Sequence, residues 1–401
     1  MNLRILIVIH YLEIGGAERS LLGLLNAINT QKCDVDLFIH QHTGEFMPLV
    51  PRNVHLLNEN KRYASIEAPM RQVLKRGYCD IILARLLAKW RCRNYVKKNN
   101  LKDGSSIFQY VAEAVTPLLS SLHQYGEYDL AISFLTPHNI VLNKVKAKKK
   151  IAWIHTDYST IQVNAVQELK IWRQYDYIAS ISEEVTTAFL KTFPSLADKI
   201  VLIENILSSV FVREQAELQN VMNEMKVEEG TVKLCSVGRF TYPKNFDNVP
   251  YICKKILEQG VAVKWFIVGY GGDESLIKQS IQKCGMEDYV ILLGKQINPY
   301  PYIKTCDIYI QPSRYEGKAV TVREAQILCK PVVITNFPTA KSQIRDGIDG
   351  VIVPLDNDSA ARGIVDFIKN ISLQREFVNY MKTHDYGNES EVVKIYNLTE
   401  G

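Results

Sequence analysis

The sequence predicts an α/β protein with two parallel sheets, each covered by helices on both faces. Short apolar runs alternate with segments of helical composition along most of the chain, as in strands that are joined by crossover helices. The runs form two sets, which are separated by the polar interval Glu214–Gly230, where no strand-like run occurs. At 401 residues, 47% of them hydrophobic, the chain is long enough for about two domains of ordinary size.

The predicted strands follow in chain order. The first set comprises Leu3–Ile9, Val35–Ile39, Tyr128–Ser133, Lys150–Ile154, Tyr177–Ile181 and Val201–Ile203, and the second comprises Val232–Val237, Val263–Val268, Val290–Leu293, Ile308–Gln311, Pro331–Ile334 and Val351–Val353. We place the hinge near Asn205–Ser209, so that residues 1–205 form one domain and 206–383 the other. Phe211–Glu229 is interpreted as a connecting helix or loop, and 384–401 as a final helix.

Composition narrows the class of protein. The eight cysteines include no Cys-x-x-Cys pair, so we expect reduced, mostly buried thiols in a cytoplasmic protein rather than zinc ligands or a disulfide framework. The run Leu3–Ile9 leads into Glu13 and a double glycine without a small-residue cleavage site, and it is therefore interpreted as a strand rather than a signal segment. No stretch approaches the ~20 apolar residues of a membrane span, so we expect a soluble or peripheral protein.

Two glutamates eight residues apart, Glu316 and Glu324, are the most informative feature for function. Glu316 is expected on the loop that leaves a strand, and Glu324 nearly two turns into the following helix. The unpaired N–H groups of the first helical turn between them can bind an anion. A ligand with hydroxyls at both ends and a phosphate in the middle, such as a nucleotide sugar, fits this arrangement. Taken by itself, the spacing is better explained by a solvated helix face and an unrelated loop acid, and the segments that accompany it favour the functional interpretation.

Three further glycine-bearing turns follow predicted strands. Gly15 and Gly16 come after the first strand, Gly238 with Arg239 and Lys244 after Val232–Val237, and Gly269 with Gly271 after Val263–Val268. Open α/β sheets bind their ligands at the carboxyl ends of the strands, so these turns are candidate binding loops. A structural turn accounts for a lone Gly-x-Gly equally well.

In their order and spacing, the four segments together resemble retaining glycosyltransferases of family 4. That resemblance implies the GT-B architecture, in which two Rossmann-like doubly wound domains face each other across a cleft, and it implies that the last helix crosses back onto the first domain. It is tightest over Lys233–Pro354, looser over residues 1–23 and Ile151–Asn205, and absent from about Asn60 to Gly126.

The breaking glycosidic bond leaves negative charge on a nucleoside diphosphate. We expect Arg239 and Lys244 to neutralise it, since arginine offers a planar fork and lysine a mobile point charge. An Asp-x-Asp pair, Asp34 and Asp36, could hold a metal instead, but it lies far from these loops in sequence and is interpreted as structural. We therefore expect no catalytic metal and no cofactor.

The resemblance also implies roles for the donor-binding residues. Glu324 would accept hydrogen bonds from the ribose hydroxyls, and Glu316 from hydroxyls of the donor sugar. Backbone N–H groups would contact the sugar and the phosphate from Gly317, Lys318, Ala319, Val320 and Thr321, and the turns at Gly238 and Gly269 would lie nearby. Where the family commonly has Phe and Gly after this first glycine, Lys318 and Ala319 stand here, which leaves the identity of the donor sugar open.

In the first domain, Gly15 and Gly16 would let the backbone approach the diphosphate, because a side chain there would block it. The resemblance implies that His155 hydrogen-bonds the donor sugar or the departing phosphate, although a buried histidine satisfied by backbone is the alternative. Less specific candidates for the cleft or the acceptor pocket are Asp157, Tyr158 and His138, with Ser180, Ser182 and Glu183 chiefly a strand exit and helix cap.

These inferences predict a retaining, metal-independent glycosyltransferase of the cytoplasm. It would move a hexose-type sugar from a nucleoside diphosphate, with uridine favoured over guanosine, to a hydroxyl of a lipid-linked or polysaccharide acceptor, as in cell-surface polysaccharide biosynthesis. The alternatives are a GT-B sugar-nucleotide epimerase or phosphorylase and a non-catalytic glycan-binding subunit. A nicotinamide oxidoreductase is disfavoured because neither half contains Gly-x-Gly-x-x-Gly with an acid ~20 residues further on.

Residues 60–126 are interpreted as a helical, basic segment, whose stretch 60–102 holds twelve Lys and Arg against Glu67 and Asp80. Two sets of residues recur there at helical spacing, a basic one of Arg85, Lys89, Arg93 and Lys97 and an apolar one of Leu83, Leu86, Leu87 and Trp90. We therefore predict an amphipathic helix. Either its apolar stripe packs on its own domain, or it docks on anionic lipid at the inner membrane face. No aromatic stacking platform accompanies the charge, so we expect no nucleic-acid partner.

Overall fold

The computed structural model describes residues 2–101 and 104–399. The described chain divides into two compact units. Unit 1 consists of the residues up to Ile206 together with those from Glu389 onward, and unit 2 is Leu207–Asn388. Each unit is a parallel sheet with helices, and we describe each by itself.

Unit 1 contains a seven-stranded parallel sheet in the order β3-β2-β1-β4-β5-β6-β7. Its strands are β1 (Leu3–Ile9), β2 (Cys33–Ile39), β3 (His55–Leu56), β4 (Tyr128–Ser133), β5 (Ala147–Ile154), β6 (Tyr177–Ser180) and β7 (Ile200–Leu202). Its helices are α1 (Gly16–Ala27), α2 (Met70–Lys75), α3 (Cys79–Lys98), α4 (Ile107–Val115), α5 (Asn139–Lys144), α6 (Ala165–Trp172), α7 (Glu183–Thr192) and, at the far end of the chain, α16 (Val392–Asn397).

Unit 2 contains a six-stranded parallel sheet in the order β10-β9-β8-β11-β12-β13. Its strands are β8 (Val232–Val237), β9 (Val263–Val268), β10 (Val290–Gly294), β11 (Ile308–Gln311), β12 (Val332–Thr335) and β13 (Val351–Val353). Its helices are α8 (Ser209–Glu217), α9 (Val249–Glu258), α10 (Glu274–Cys284), α11 (Tyr300–Thr305), α12 (Val320–Ile327), α13 (Ala340–Gln343), α14 (Asn357–Lys369) and α15 (Ile371–Thr383).

Both sheets are doubly wound, which confirms the predicted fold class. In each unit the first strand is flanked by the second and the fourth, so the order of strands reverses between β1 and β4 and between β8 and β11. Such a switch point opens a crevice at the carboxyl ends of the two strands, where ligands bind. Six strands have the predicted bounds, because each is a run that is apolar on both faces. The sequence did not predict β3, which is only two residues long.

The end of the chain completes the core of unit 1. Ile395 is fully buried and Val392 nearly so, both among the apolar side chains of β1, β2 and α1. Lys394 donates from Nζ to the carbonyl oxygen of Leu202 at 3.0 Å, and the hydroxyl of Tyr396 accepts from the backbone N–H of Asn29 at 2.9 Å. These contacts hold α16 against the sheet of unit 1.

The basic segment is helical, as predicted, but its two stripes are not arranged as predicted; Lys102, the end of the predicted 60–102 stretch, lies outside the described residues. Arg85 faces inward from α3 and donates to the carbonyl oxygens of Ser65 and Ala68 at 3.0 and 2.6 Å. It therefore does not belong to an exposed basic stripe. The apolar stripe does not pack on its own unit either, since Leu83 is 67% and Trp90 61% exposed.

Two further observations concern the chain as a whole. Among the helices that are described, none is both long and apolar enough to cross a bilayer. All eight cysteines are free and six are buried, while Cys79 is exposed and Cys329 half-buried.

Candidate active site

The switch point of unit 2 brings together two of the sequence motifs. Lys244 lies on the loop after β8, and Glu316 on the loop after β11. The Nζ atom of Lys244 donates to Oε1 of Glu316 at 2.6 Å, and both side chains are largely buried, 21% and 9% exposed. Residues 72 positions apart therefore form a buried ion pair across the crevice between β8 and β11.

Hydrogen bonds from uncharged side chains also hold the carboxylate of Glu316 in place. Its Oε1 atom also accepts from the hydroxyl of Ser313 at 2.6 Å and from Nε2 of Gln311 at 3.1 Å. The hydroxyls of Tyr309 and Thr321 donate in turn to Oε1 of Gln311, at 2.7 and 3.1 Å. Gln311 and Ser313 are fully buried, so the carboxylate has a fixed position.

A second ion pair fastens the two loops to each other. Arg314 forms a two-pronged bond to the carboxylate of Asp247, at 2.8 and 2.7 Å, and also donates to the carbonyl oxygen of Tyr242 at 2.7 Å. Its guanidinium lies over the ring of Tyr242, with Cζ 4.4 Å from the ring centroid. The sequence analysis did not identify Arg314, because its partner lies 67 residues away and neither residue belongs to a recognised motif.

Arg239 is exposed beside this pair, on the same loop as Lys244. Its side chain forms no hydrogen bond or ion pair with the part of the chain that the structure describes. The guanidinium of Arg239 is therefore exposed without a described partner, while Lys244 already has a carboxylate partner.

Glu324 lies deeper than expected. It is the fifth residue of α12, just over one turn from the start of the helix rather than nearly two. Its side chain is fully buried, and its Oε1 atom accepts from the hydroxyl of Tyr300 at 3.0 Å. Tyr300, which is itself buried, was not a sequence candidate. The hydroxyl of Tyr300 therefore donates to the same carboxylate that we expected to accept hydrogen bonds from the ribose hydroxyls.

The start of α12 is also less open than expected. The N–H of Ala319 donates to Oε1 of Gln343 at 2.8 Å, and the N–H groups of Val320 and Val322 donate to Lys318 and Ala319 carbonyl oxygens at 3.0 Å. The expectation that the first-turn N–H groups are all unpaired is therefore wrong for these residues. The carbonyl oxygens of Glu316 and Gly317 are bonded as well, by Thr339 and Gln343.

Packing requires glycine at Gly269 and Gly271, after β9. A Cβ atom on Gly269 would lie 1.9 Å from the carbonyl oxygen of Gly238, and one on Gly271, whose φ is +156°, would lie 2.4 Å from that of Phe240. The two loops also exchange backbone hydrogen bonds, from Gly238 N to Val268 O at 3.0 Å and from Phe240 N to Tyr270 O at 2.8 Å. This Gly-x-Gly could be a structural turn or a donor-binding loop. The close approaches and backbone hydrogen bonds between the loops favour the structural turn.

In unit 1 the double glycine begins α1, with Gly15 as the N-cap residue. A Cβ atom on Gly15 would meet the carboxylate of Glu18 at 2.1 Å, whereas one on Gly16 would meet no described atom within 4 Å. Packing within the described protein therefore does not demand a glycine at Gly16. Space for an approaching ligand remains a prediction for this residue.

His155 lies just past β5 against aromatic rings. Its ring is 4.5 Å from that of Phe134 and stacks on that of Trp153 at 5.8 Å between centroids. Burial lowers the pKa of His155 to about 3, so the imidazole is neutral at pH 7. Its Nε2 atom is buried and has no hydrogen-bond partner among the described residues, which argues against a histidine satisfied by backbone at that nitrogen.

Several weaker candidates have structural contacts instead. His138 is buried, bonded to Ser133 at 2.8 Å and packed on Trp172, and it is not a surface residue. The hydroxyl of Tyr158 donates to buried Glu168 at 2.9 Å, so this tyrosine belongs to the core rather than to an acceptor pocket. The remaining contacts are those of caps and turns: Ser182 caps α7, Asp157 accepts from the N–H of Ser159, and Ser180 donates to the carbonyl oxygen of Ser182.

Asp34 and Asp36 are the second and the middle residue of β2, and Asp36 is engaged on both oxygens. Its two oxygens bind Nδ1 of His55 at 2.7 Å and the hydroxyl of Tyr128 at 2.6 Å. Asp34 accepts from the side chain of Asn2 at 3.2 Å. Because ligands bind at the carboxyl ends of parallel strands, this location supports the structural interpretation of the pair.

One cluster escaped the sequence analysis entirely. His10 and His40 directly follow the neighbouring strands β1 and β2, and Glu67 approaches both. The sequence did contain a signal for this cluster, since each histidine directly follows a predicted strand. It contained no signal that places Glu67 beside them.

Residues 219–384 match the family model described as Glycosyl transferases group 1. The poly(ribitol-phosphate) alpha-N-acetylglucosaminyltransferase of Staphylococcus aureus is 24% identical over 222 residues, 49% of this chain and 45% of that protein. The alpha-monoglucosyldiacylglycerol synthase of Streptococcus pneumoniae is 25% identical over 183 residues, 44% of this chain and 41% of that protein. The chain spans about half the length of the curated relatives it matches.

Among solved structures, HepE of Anabaena in complex with UDP and glucose is similar over the whole of both chains. The TM-score is 0.66 at 15% sequence identity. Together with the two doubly wound parallel units, this likeness shows that the chain has the GT-B fold.

Proposed function

We propose that this protein is a glycosyltransferase that moves a sugar from a nucleoside diphosphate to a hydroxyl of an acceptor. The observation that carries the proposal is the buried Lys244–Glu316 pair at the switch point of unit 2, with Arg239 exposed beside it. The matched family segment contains all three residues. Lys244 and Arg239 would stabilise the charge on the leaving diphosphate, while Glu316 would accept from hydroxyls of the sugar.

The proposed reaction retains the configuration of the sugar. A double displacement needs a carboxylate that is free to attack the sugar carbon. The Oε1 atom of Glu316 is bonded to Lys244, Ser313 and Gln311, which suits a positioning role better than attack. Same-face attack by the acceptor hydroxyl, with the leaving phosphate taking its proton, then depends on positioning and on charge stabilisation.

We propose a UDP-hexose as the donor and a lipid-linked or polysaccharide acceptor. HepE binds UDP and glucose, and the two curated relatives are named for transfer to poly(ribitol-phosphate) and for synthesis of a glucosyldiacylglycerol. When the donor binds, the N–H of Ala319 would exchange its bond to Gln343 for one to the donor. The carboxylate of Glu324 would likewise exchange its bond from Tyr300 for bonds from the ribose hydroxyls. In unit 1, we assign His155, Gly15 and Gly16 to the donor sugar and diphosphate.

The transfer step is proposed to need no metal. Arg239 and Lys244 supply two positive charges at the crevice, whereas Asp36 is already bonded through both oxygens. Activity should therefore survive brief exposure to EDTA. Loss of activity that manganese restores would contradict this part of the proposal.

A screen of sugar nucleotides tests the whole proposal. A donor at ~100 times its dissociation constant stabilises the protein by about 2.7 kcal/mol, which a thermal shift detects. The donor so identified is then incubated with and without acceptor glycolipid, and the products are resolved by mass spectrometry. Transfer only with acceptor supports the proposal. An altered sugar nucleotide without acceptor identifies an epimerase, and binding without turnover identifies a glycan-binding protein.

We also propose that α3 brings the enzyme to an anionic membrane. Its exposed face carries Leu83, Leu86, Leu87 and Trp90, which are 67, 51, 44 and 61% exposed. At about 100° per residue, Arg91 and Lys98 flank this apolar face on one side, and Lys89 and Arg93 flank it on the other. An apolar stripe between two basic margins suits a bilayer surface, where the side chains enter and the charges meet lipid headgroups.

Vesicle sedimentation tests the docking face. Binding should rise with phosphatidylglycerol content, fall with salt, and weaken when Leu86 and Trp90 become Ser or when Lys89, Arg91 and Arg93 become Ser. Arg85 is left unchanged, because its bonds to Ser65 and Ala68 are structural. Leu276→Ser, on an exposed leucine of α10 in unit 2, is the matched control. Equal binding to neutral and anionic vesicles, or none to either, would overturn the proposal.

A further inference from the structure

The cluster of His10, His40 and Glu67 lies inside unit 1. The backbone N–H of His40 donates to the carbonyl oxygen of Ile9 at 3.0 Å, so the two histidines leave the sheet side by side. Their rings stack with centroids 4.9 Å apart. The Oε1 atom of Glu67 lies 3.6 Å from Nδ1 of His10 and 3.4 Å from Nδ1 of His40.

Contacts within the described protein satisfy this cluster only in part, through the hydrogen bond between Nδ1 of His40 and Oε1 of Glu67 at 3.4 Å. His40 is 2% and His10 9% exposed. The Nε2 atom of His40 and the Oε2 atom of Glu67 are both buried without a hydrogen-bond partner among the described residues. Arg85, on the packed face of α3, donates instead to the carbonyl oxygens of Ser65 and Ala68. Buried polar atoms without protein partners are uncommon and are accounted for by an ordered water or an ion.

The separations fit a metal ion. A tetrahedral zinc ion with bonds of about 2.0–2.2 Å holds its ligand atoms about 3.4 Å apart. The two distances to Glu67 are close to this value, and one ligand atom from each of the three residues lies within 4.8 Å of the others. Two imidazoles and one carboxylate are an established donor set for zinc and other divalent transition metals, with a further position left for water.

We propose that His10, His40 and Glu67 bind a divalent transition-metal ion, with zinc as the test ion. The ion joins the ends of β1 and β2 to the segment before α2. His10 stands five residues before Gly15, so the ion also fixes the start of the loop that leads to the double glycine. This site does not depend on the proposed transferase activity, since it lies wholly in unit 1 and its test does not measure turnover.

Metal content and cobalt spectra test the site. The full chain is produced without a histidine tag in medium containing zinc, desalted and analysed by plasma mass spectrometry. We expect about one zinc per chain in the wild type, and a loss of about tenfold or more in His10→Asn and Glu67→Gln. His123→Asn, on an exposed histidine of unit 1, should keep its zinc. Circular dichroism checks that each variant is folded.

The cobalt experiment needs no variant. Titration of the metal-free wild type with Co²⁺ should produce the visible absorption of a four-coordinate ion, saturating at about one equivalent, and Zn²⁺ should abolish it. Wild type that holds no zinc and gives no such absorption would overturn the proposal. Zinc held equally by His10→Asn and Glu67→Gln would overturn it too, because the ion would then lie elsewhere.

Discussion

Lys244 and Arg239, which we propose both act on the leaving diphosphate, differ in their contacts within the protein. Lys244 is buried against a carboxylate, whereas Arg239 is exposed and has no described partner. Both are proposed to stabilise the leaving diphosphate, but only Lys244 also stabilises the fold. Substitutions at the two positions should therefore separate catalysis from folding.

Replacing either Arg239 or Lys244 with Ala should lower turnover by roughly 10²–10³, the effect of losing one fixed charge donor. Lys244→Ala should also cost about 1–3 kcal/mol of folding free energy, because Glu316 loses a buried charged partner. Arg239→Ala should leave stability unchanged. Steady-state kinetics and denaturant melts measure both effects, with Lys254→Ala, on an exposed lysine of α9, as the control. Turnover by Arg239→Ala at the wild-type rate would remove this residue from the site.

Glu324 requires a variant that preserves its contact with Tyr300. Glu324→Gln keeps an acceptor for the tyrosine hydroxyl but loses the charge that ribose hydroxyls would meet, and UDP binding should weaken by about 1.5–3 kcal/mol. Tyr300→Phe removes the competing hydroxyl and should bind UDP at least as tightly as the wild type. Calorimetric titration with UDP measures both variants. Unchanged binding by Glu324→Gln would show that the ribose lies elsewhere.

His155 makes stability depend on pH. Its pKa is about 3 in the folded chain, against about 6.5 when unfolded, so below pH 6.5 the unfolded chain binds a proton that the folded chain does not. Acidification from pH 7 to 5 should therefore destabilise the protein, by about 1.4 kcal/mol per pH unit below 6.5 for this histidine. Denaturant melts of His155→Gln should show a flatter pH dependence. A pH dependence of the unfolding free energy that is the same in His155→Gln and in the wild type would contradict this account.

At the scale of elements, the loops after β8 and β9 are joined backbone to backbone. A Cβ atom on Gly269 would lie 1.9 Å from Gly238 O, whereas Gly272, three residues further on, has no atom within 4 Å of such a position. Gly269→Ala should cost about 1–3 kcal/mol or more, as overpacking does, and Gly272→Ala less than about 0.5 kcal/mol. Thermal unfolding measures both. Equal stability of the two variants would contradict the packing account.

Strands and binding loops could be predicted because their signals are local. The runs that became β1, β8 and β11 are mostly apolar, and the loops that follow parallel strands must lie at one edge of the sheet. The partners of the site residues could not be predicted. Tyr300 reaches Glu324 across 24 residues, and Gln343 reaches Ala319 across another 24. Such pairs depend on how α11 and α13 pack, which no local pattern encodes.

The exposed face of α3 illustrates the same limit. Helical spacing predicted two stripes, but spacing does not reveal which one turns inward. Packing places Ile81, Ala88 and Cys92 inside together with the bonded side chain of Arg85, and it leaves the leucines and Trp90 outside.

For the whole molecule, α16 is expected to contribute strongly to the stability of unit 1. Ile395 is fully buried in that core, while its neighbour Val393 is 50% exposed. Ile395→Ala should cost about 2–5 kcal/mol, the range for a large apolar side chain removed from a core, and Val393→Ala less than about 0.5 kcal/mol. Denaturant melts followed by tryptophan fluorescence measure the loss, since three of the four tryptophans, Trp90, Trp153 and Trp172, lie in unit 1. A similar loss in both variants would mean that α16 is not anchored by Ile395.

Because α16 completes the core of unit 1, the two units can finish folding at different times during synthesis. On the ribosome the strands of unit 1 emerge first, but Val392 and Ile395, which close that unit's core, emerge only after all of Leu207–Asn388. At about 5–20 residues per second, those roughly 180 residues delay closure by about 10–40 seconds. Unit 2 is one continuous segment of the chain, so it can complete its fold before unit 1 does. During that interval the nascent unit 1 exposes an unfilled apolar groove, so newly made chains should depend on chaperones more than finished ones do.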